Sequence, residues 1–131
     1  MKVVLDTNVY ISAILFGGNC EEILKLANQG LFDVVISKEI LDEIKSVLKG
    51  KFYWADKQIV GVIKYIKELA SIVNPEVSLR IVKEDPSDNK IIECAVASNT
   101  AYIVTGDKNH LLPIKGYKGI KILSPIEFLK L

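Results

Sequence analysis

Histidine and cysteine are scarce in this chain of 131 residues, which contains one histidine and two cysteines. Cys20 and Cys94 are far apart in the sequence and belong to no cluster, so they indicate neither a disulfide framework nor a zinc site. Two unclustered thiols are typical of proteins in the reducing cytoplasm, which is where we expect this protein. Both thiols are expected to be buried as small apolar side chains.

Long hydrophobic runs are also absent, because no stretch of about 18 apolar residues occurs and no membrane span is indicated. Lys2 and Asp6 interrupt the apolar N-terminal segment, which argues against a signal peptide. The sequence has no glycine-rich phosphate loop and no serine nucleophile elbow. A strong excess of charge is missing as well, since 17 basic residues face 16 acidic ones. This balance neither supports nor excludes a nucleic-acid partner.

Apolar residues, in contrast, are plentiful: half of the chain is hydrophobic and its mean hydropathy is +0.28. A chain of this length forms one domain, over residues 1–131, with a core that needs no disulfide. Predicted strands and helices alternate, which indicates an α/β fold with a mainly parallel sheet of about five strands and helices on both faces. The predicted strands are 2–5, 33–36, 77–82, 102–104 and 121–123. The predicted helices are 9–16, one from 19, 38–48, 56–71, 90–97 and one from 125.

Two aspartates each follow a buried strand, at the point where the strand ends. Asp6 comes directly after the first strand, and Asp107 comes after the fourth strand and the pair Thr105-Gly106. Thr7 or Asn8 can cap the helix that follows the first strand, which would leave the Asp6 carboxylate free. Because the carboxyl ends of parallel strands meet at one edge of a sheet, we expect Asp6 and Asp107 to lie close together.

Two further acids lie on predicted helices that can reach the same edge. Glu43 lies at the border of the apolar stripe of its helix, whereas its neighbour Asp42 faces away. Asp88 lies at the start of the helix over 90–97, at the centre of the inward stripe. An acid in that place can cap the helix or point into a shared site. The four acids together predict a cluster of carboxylates at the edge of the sheet.

A cluster of four carboxylates repels itself unless protons or cations lie between the oxygens. Ligation by oxygen alone suits Mg²⁺ or Mn²⁺ better than zinc. Such a metal site activates water and binds phosphate oxygens. The one histidine, His110, lies in a turn and is expected to be structural or exposed. The sequence therefore predicts chemistry that depends on a metal ion rather than on an imidazole.

Four ordered motifs resemble the PIN-domain family, and the closest similarity is to the toxin ribonucleases of toxin–antitoxin pairs. The motifs are LDTNV over 5–9, EILDEI over 39–44, DPSDNK over 85–90 and VTGDK over 104–108. The resemblance implies a three-layer α/β/α sandwich that cleaves RNA with Mg²⁺ or Mn²⁺. The residues matching the acidic quartet of the family are Asp6, Glu43, Asp88 and Asp107. Asn8 and Thr105 match positions that support the acids by hydrogen bonds, and Asn109 stands where many members carry a further aspartate.

Partners are predicted from the resemblance and from the middle of the chain. Similar toxins bind an antitoxin and commonly pair, and the aromatic cluster over 52–54 is of a kind enriched in interfaces, so we expect a homodimer. These rings could instead fold onto the core of their own domain. Six lysines surround the cluster and can be either solvated helix faces or a track for RNA. They are Lys45, Lys49, Lys51, Lys57, Lys64 and Lys67.

Two other functions compete with a ribonuclease. A phosphatase of the haloacid dehalogenase type also begins with an aspartate after its first strand, but it needs a second acid two residues on, where this chain has Asn8. A catalytically silent interaction module on the same scaffold is the other alternative. A titration with a divalent metal separates these functions.

Overall fold

A six-stranded sheet forms the centre of the protein in a computed structural model, which describes residues 1–75 and 89–131. The strands are β1 (Lys2–Leu5), β2 (Asp33–Ser37), β3 (Ala70–Val73), β4 (Tyr102–Val104), β5 (Gly116–Tyr117) and β6 (Ile120–Leu123). Their order across the sheet is β3-β2-β1-β4-β6-β5. All neighbouring strands are parallel except β5 and β6.

Six α-helices flank this sheet. They are α1 (Thr7–Phe16), α2 (Gly18–Asn28), α3 (Lys38–Gly50), α4 (Asp56–Leu69), α5 (Asn89–Ala97) and α6 (Pro125–Leu129). A short 3-10 turn spans Leu112–Ile114. None of the described helices combines the length and the apolar character that a membrane span requires.

Strand β1 shows that both faces of the sheet are covered. Val3, Val4 and Leu5 are each 0% exposed, although successive residues of a strand point to opposite faces. Layers of side chains must therefore pack against β1 from above and below, as in a parallel sheet between helices. This confirms the predicted three-layer α/β/α fold, with α5 in contact with β1, β2 and β4.

Helix α3 forms as its sequence predicts. Ser37 precedes it in an extended conformation, and its hydroxyl accepts a hydrogen bond from the backbone N–H of Ile40 at 3.2 Å. Such a cap satisfies one of the N–H groups that a helix start leaves without a partner. The apolar stripe of α3 is buried, with Ile44 and Leu48 both 0% exposed. Glu43 is half-buried at the border of this stripe and Asp42 is exposed, as the periodicity indicates.

The strand prediction was wrong in two places. The helix predicted over 56–71 ends at Leu69, and Ala70–Val73 forms β3, which pairs with β2 at the edge of the sheet. This pairing between distant segments overrides the local helical pattern. The antiparallel strand β5 was not predicted; it turns into β6 through Lys118 and Gly119, both with positive φ, as in a two-residue hairpin. The strand predicted over 77–82 lies outside the described residues.

The strand order reverses direction next to β1. The chain proceeds from β1 outwards through β2 to β3, and it then returns to the other side of β1 with β4. Such a switch opens a crevice at the carboxyl ends of the two central strands, where α/β proteins bind ligands. Asp6 follows β1 and Thr105 follows β4, so both residues lie at this crevice.

A buried carboxylate at the switch point of the sheet

Asp6 lies at the floor of the crevice and is 3% exposed. Helix α1 begins at Thr7, so Asp6 itself occupies the capping position, but its side chain does not cap the helix. The expectation that Thr7 or Asn8 caps α1 was therefore wrong. The backbone N–H of Asp6 donates to the carbonyl of Val104 at 2.9 Å, which continues the pairing of β1 with β4 by one residue. Its carboxylate instead accepts a hydrogen bond from the hydroxyl of Thr105 at the end of β4.

The hydroxyl of Thr105 connects two of the predicted acids. Its Oγ1 donates to Oδ2 of Asp6 at 2.7 Å and accepts the backbone N–H of Asp107 at 3.0 Å. Thr105 is 0% exposed, so water cannot replace either bond. A hydroxyl has a single proton, and that proton is directed at Asp6. The hydrogen bond predicted for Thr105 is present, and it fixes the orientation of the Asp6 carboxylate.

Asp107 closes the turn that follows β4. Its Oδ1 accepts the backbone N–H groups of Asn109 and His110, both at 3.1 Å. Its Oδ2 lies 3.4 Å from Nδ1 of His110. His110 was not among the residues predicted for the site, although its spacing of three residues from Asp107 was a signal for this contact. The side chain of Asp107 is 14% exposed and that of His110 is 31% exposed, so both border the crevice.

Electrostatic forces link three of the four predicted acids. The pKa of Asp6 is raised from 3.8 to about 6, mainly by burial and also by the negative charges of Glu43 and Asp107. The hydrogen bonds from Thr105 and from the backbone of Thr7 act in the opposite direction. These effects are those expected of a carboxylate in an apolar site with other carboxylates nearby. The structure thus brings Asp6, Glu43 and Asp107 into one electrostatic neighbourhood.

The fourth acid, Asp88, lies outside the described residues. Within 1–75 and 89–131, no three side chains of histidine, cysteine, aspartate or glutamate are grouped closely enough to hold a metal ion. The donor chemistry of the described part still suits a hard cation, because the crevice presents carboxylate oxygens around a buried acid with a raised pKa. Asn8 is exposed beside this crevice, and its supporting role stays a prediction.

Two cysteine predictions have different outcomes. Cys94 on α5 is 0% exposed. The pKa of its thiol is raised to about 12, because burial outweighs the hydrogen bond with Ser37. It is thus the inert, buried thiol that we expected. Cys20 is only half-buried, contrary to the expectation, because its position at the start of α2 faces a surface groove.

The lysines of the middle segment gather on one surface. An apolar groove of about 830 Å³ lies between α3 and α4, and four of the six lysines line it. Lys49 forms an ion pair with Asp56 at 3.2 Å, and Lys45 lies 3.8 Å from Asp42. Exposed pairs of this kind contribute little to stability. The shared surface leaves both interpretations of the lysines open, as solvated helix faces or as a track for RNA.

Comparisons with known proteins agree with this architecture. Residues 2–109 match the family model described as the PIN domain. Uncharacterized protein MJ1680 of Methanocaldococcus jannaschii is 32% identical to this chain over an alignment of 143 positions. The alignment covers 99% of this chain and 90% of that protein.

Two solved structures are similar in fold. The first, VapBC2 from Rickettsia felis bound to a DNA fragment from their promoter, gives a TM-score of 0.67 at 20% identity and covers 95% of this chain and 98% of that chain. The second, VapBC-1 from nontypeable Haemophilus influenzae, gives 0.63 at 17% identity and covers 96% and 99%. At these identities the likeness concerns the fold.

Proposed function

This chain belongs to the PIN domain family, and from that premise we propose that it is a ribonuclease that depends on Mg²⁺ or Mn²⁺. The residues that would hold the metal are Asp6, Glu43, Asp88 and Asp107. Thr105 positions Asp6, and we assign the same supporting role to Asn8. The substrate is RNA, and the reaction hydrolyses its phosphodiester bonds.

The observation that carries this proposal is the electrostatic state of Asp6. The carboxylate is buried, its pKa is raised to about 6, and two further carboxylates contribute to that rise. A protein gains nothing in folding from such an arrangement, since burial and repulsion both disfavour the charged form. A divalent cation between the acids would reverse the effect, because it favours the ionised form of each of them.

The acids also determine how RNA can approach. A bound divalent ion lowers the pKa of a bound water and stabilises the charge on phosphate oxygens. Without it, Asp6, Glu43 and Asp107 repel the phosphate backbone. Asp107 is held by two backbone N–H groups of its own turn, and Asp6 is held by Thr105. Both carboxylates are therefore oriented before substrate arrives, which avoids reorganisation during the reaction.

We further propose that the protein is the toxin of a toxin–antitoxin pair in the cytoplasm and binds an antitoxin protein. The similarity in fold to two VapBC structures over at least 95% of the chain supports this. A homodimer is part of the same proposal. Within the aromatic cluster, Tyr53 is 86% exposed, Phe52 is 39% exposed and Trp54 packs partly on the core. Two of the three rings are thus available to an interface.

Cleavage of RNA with and without metal tests the proposed activity. We expect cleavage with Mg²⁺ or Mn²⁺ and none with excess chelator. Asp6→Asn and Asp88→Asn should each keep the fold, because the volume hardly changes, and should lower the rate about 100-fold or more, since several kcal/mol of charge stabilisation are lost. Asp42→Asn is the matched control, because Asp42 is an exposed acid on the same helix as Glu43.

Three results would decide against the proposal. Full activity of Asp6→Asn would remove the acids from the mechanism. Binding of a partner protein without any cleavage or metal response would indicate a silent interaction module. Hydrolysis of phosphomonoesters with intact RNA would indicate a phosphatase.

A further inference from the structure

A groove leaves the acidic crevice and follows one face of α1. Two adjoining cavities of about 320 and 490 Å³ form it, and they share the lining residues Ser12, Cys20 and Pro125. The first cavity begins at Asn8 and Gly106. Asn8 is two residues after Asp6, and Gly106 directly precedes Asp107. The second ends at the turn after α1. The groove therefore connects the crevice with the far end of that helix.

The groove is uncharged and mainly apolar, with a few neutral polar groups. No charged side chain occurs among the described residues that line its two cavities. The lining supplies the amide groups of Asn8 and Asn19 and the hydroxyl groups of Ser12 and Ser124. These groups can both donate and accept hydrogen bonds. A neutral group with mixed donors and acceptors fits such a lining better than a phosphate, which would require arginine or lysine.

An aromatic ring stands at the end of the groove. Phe16 is the last residue of α1 and is 77% exposed, and Ile126 of α6 lines the same cavity and is 52% exposed. The chain turns sharply after Phe16, because Gly17 and Gly18 both have positive φ, a conformation that favours glycine. Because most of its surface is exposed, the Phe16 ring contributes little to the packing of the core. Exposed aromatic rings of this kind stack on the unpaired bases of single-stranded nucleic acids.

We propose that this groove binds a nucleobase of single-stranded RNA a few nucleotides from the cleaved bond, with the base stacked on Phe16. The inference rests on the proposed function, which supplies RNA as the substrate. Asn8 and Phe16 are eight residues apart on α1, which corresponds to about 12 Å along the helix. The stacked base is therefore within a few nucleotides of the phosphate at the acids, given a rise of about 3.4 Å per stacked nucleotide. Hydrogen bonds from Ser12 and Asn19 would read its edge.

The test combines a change in the protein with a change in the RNA. Binding of a labelled short single-stranded RNA of mixed sequence is measured by fluorescence anisotropy with Ca²⁺, which takes carboxylate oxygens as ligands and offsets the charge of the acids. Gel electrophoresis verifies that the RNA stays intact. The same RNA is then made with one abasic site at each position in turn. With the parent protein, loss of one particular base should weaken binding about fivefold or more, the effect expected for one stacked base.

Phe16→Ala should weaken binding of the complete RNA to the same extent. Loss of that base from the RNA should then not weaken binding to the variant any further. Phe16→Trp, which keeps a stacking surface, should bind as the parent does. Tyr65→Ala is the matched control, since Tyr65 is an exposed aromatic residue on α4 outside the groove. Far-UV circular dichroism verifies that each variant is folded.

The results that would refute the base site differ from the result that would also refute the proposed function. If Phe16→Ala binds every RNA as the parent does while the parent still cleaves RNA with Mn²⁺, the base site is refuted and the proposed function stands. If the parent neither binds nor cleaves RNA, both are refuted. If Phe16→Ala changes only the mass measured by light scattering, the groove is an interface with a second copy, and the base site is refuted.

Discussion

The pKa of Asp6 predicts a stability that changes with pH in the opposite sense to an ordinary surface carboxylate. The folded value is about 6 and the unfolded value is 3.8. Between these values the folded protein binds more protons than the unfolded chain, so its stability falls as pH rises. The gap between the two pKa values corresponds to about 3 kcal/mol of unfolding free energy. Asp6 is 3% exposed, so solvent screening hardly reduces this figure.

Replacement of Asp6 by asparagine isolates the effect. Asparagine fills the same space and can still accept the proton of Thr105, but it does not titrate. The difference in unfolding free energy between Asp6→Asn and the parent should therefore shift by about 2–3 kcal/mol in favour of the variant between about pH 4 and pH 7.5. The protein is kept in chelator, because a bound cation would stabilise the ionised carboxylate and conceal the shift.

Urea unfolding at a series of pH values measures this difference. Taking the difference between variant and parent cancels the titration of all other carboxylates, and Asp42→Asn shows the behaviour of an exposed acid on α3. A difference that stays constant with pH would show that Asp6 titrates normally. A shift in favour of the parent would show that hydrogen bonds outweigh burial at this carboxylate. Either result refutes the electrostatic account of the crevice.

Three other predictions concern the metal, the hydroxyl and the interface. Mn²⁺ should raise the unfolding midpoint of the parent by mass action and raise it much less in Asp107→Asn; an equal rise would place the metal elsewhere. Thr105→Val removes a hydrogen bond to a charged group and should lower the unfolding free energy by about 1.5–3 kcal/mol at neutral pH. The same change should lower the cleavage rate about tenfold or more. Unchanged values in urea unfolding and RNA cleavage would contradict this. Light scattering at micromolar concentration should give the mass of a dimer that Tyr53→Ala weakens, whereas a clean monomer in low and high salt would exclude the dimer.

Much of the central sheet can be predicted because its strands are short apolar runs with clear ends. β4 lies at the predicted residues 102–104, and β1 at 2–5. The helix predicted from 125 is also present as α6 (Pro125–Leu129), and Ser124 caps it. The backbone N–H of Ser124 donates to Oε1 of Glu127 at 3.0 Å, and Oγ of Ser124 accepts the backbone N–H of Glu127 at 3.2 Å. Each of these features depends on a few neighbouring residues, which is why local patterns suffice to find them.

The strand β3 was not predicted from the sequence, because it depends on a distant partner. β3 exists because Ala70–Val73 can pair with β2, and nothing in the local pattern distinguishes it from a last helical turn. The site shows both kinds of feature, those that depend on nearby residues and those that depend on distant ones. The shared edge of Asp6 and Asp107 follows from parallel strands, but the contact of His110 with Asp107 depends on side-chain geometry after β4. The raised pKa of Asp6 depends on burial by several elements at once.

The hydrogen bond between Asp6 and Thr105 also has a consequence for the time at which activity can arise. Its two residues are 99 positions apart in the chain, so the crevice cannot form until β4 has been synthesised and has paired with β1. At about 5–20 residues per second, a ribosome needs about 5–20 s to cover that distance. During this interval the nascent chain carries Asp6 without the partners that orient it. The proposed ribonuclease activity therefore could not act on RNA near its own ribosome before most of the sequence has been made.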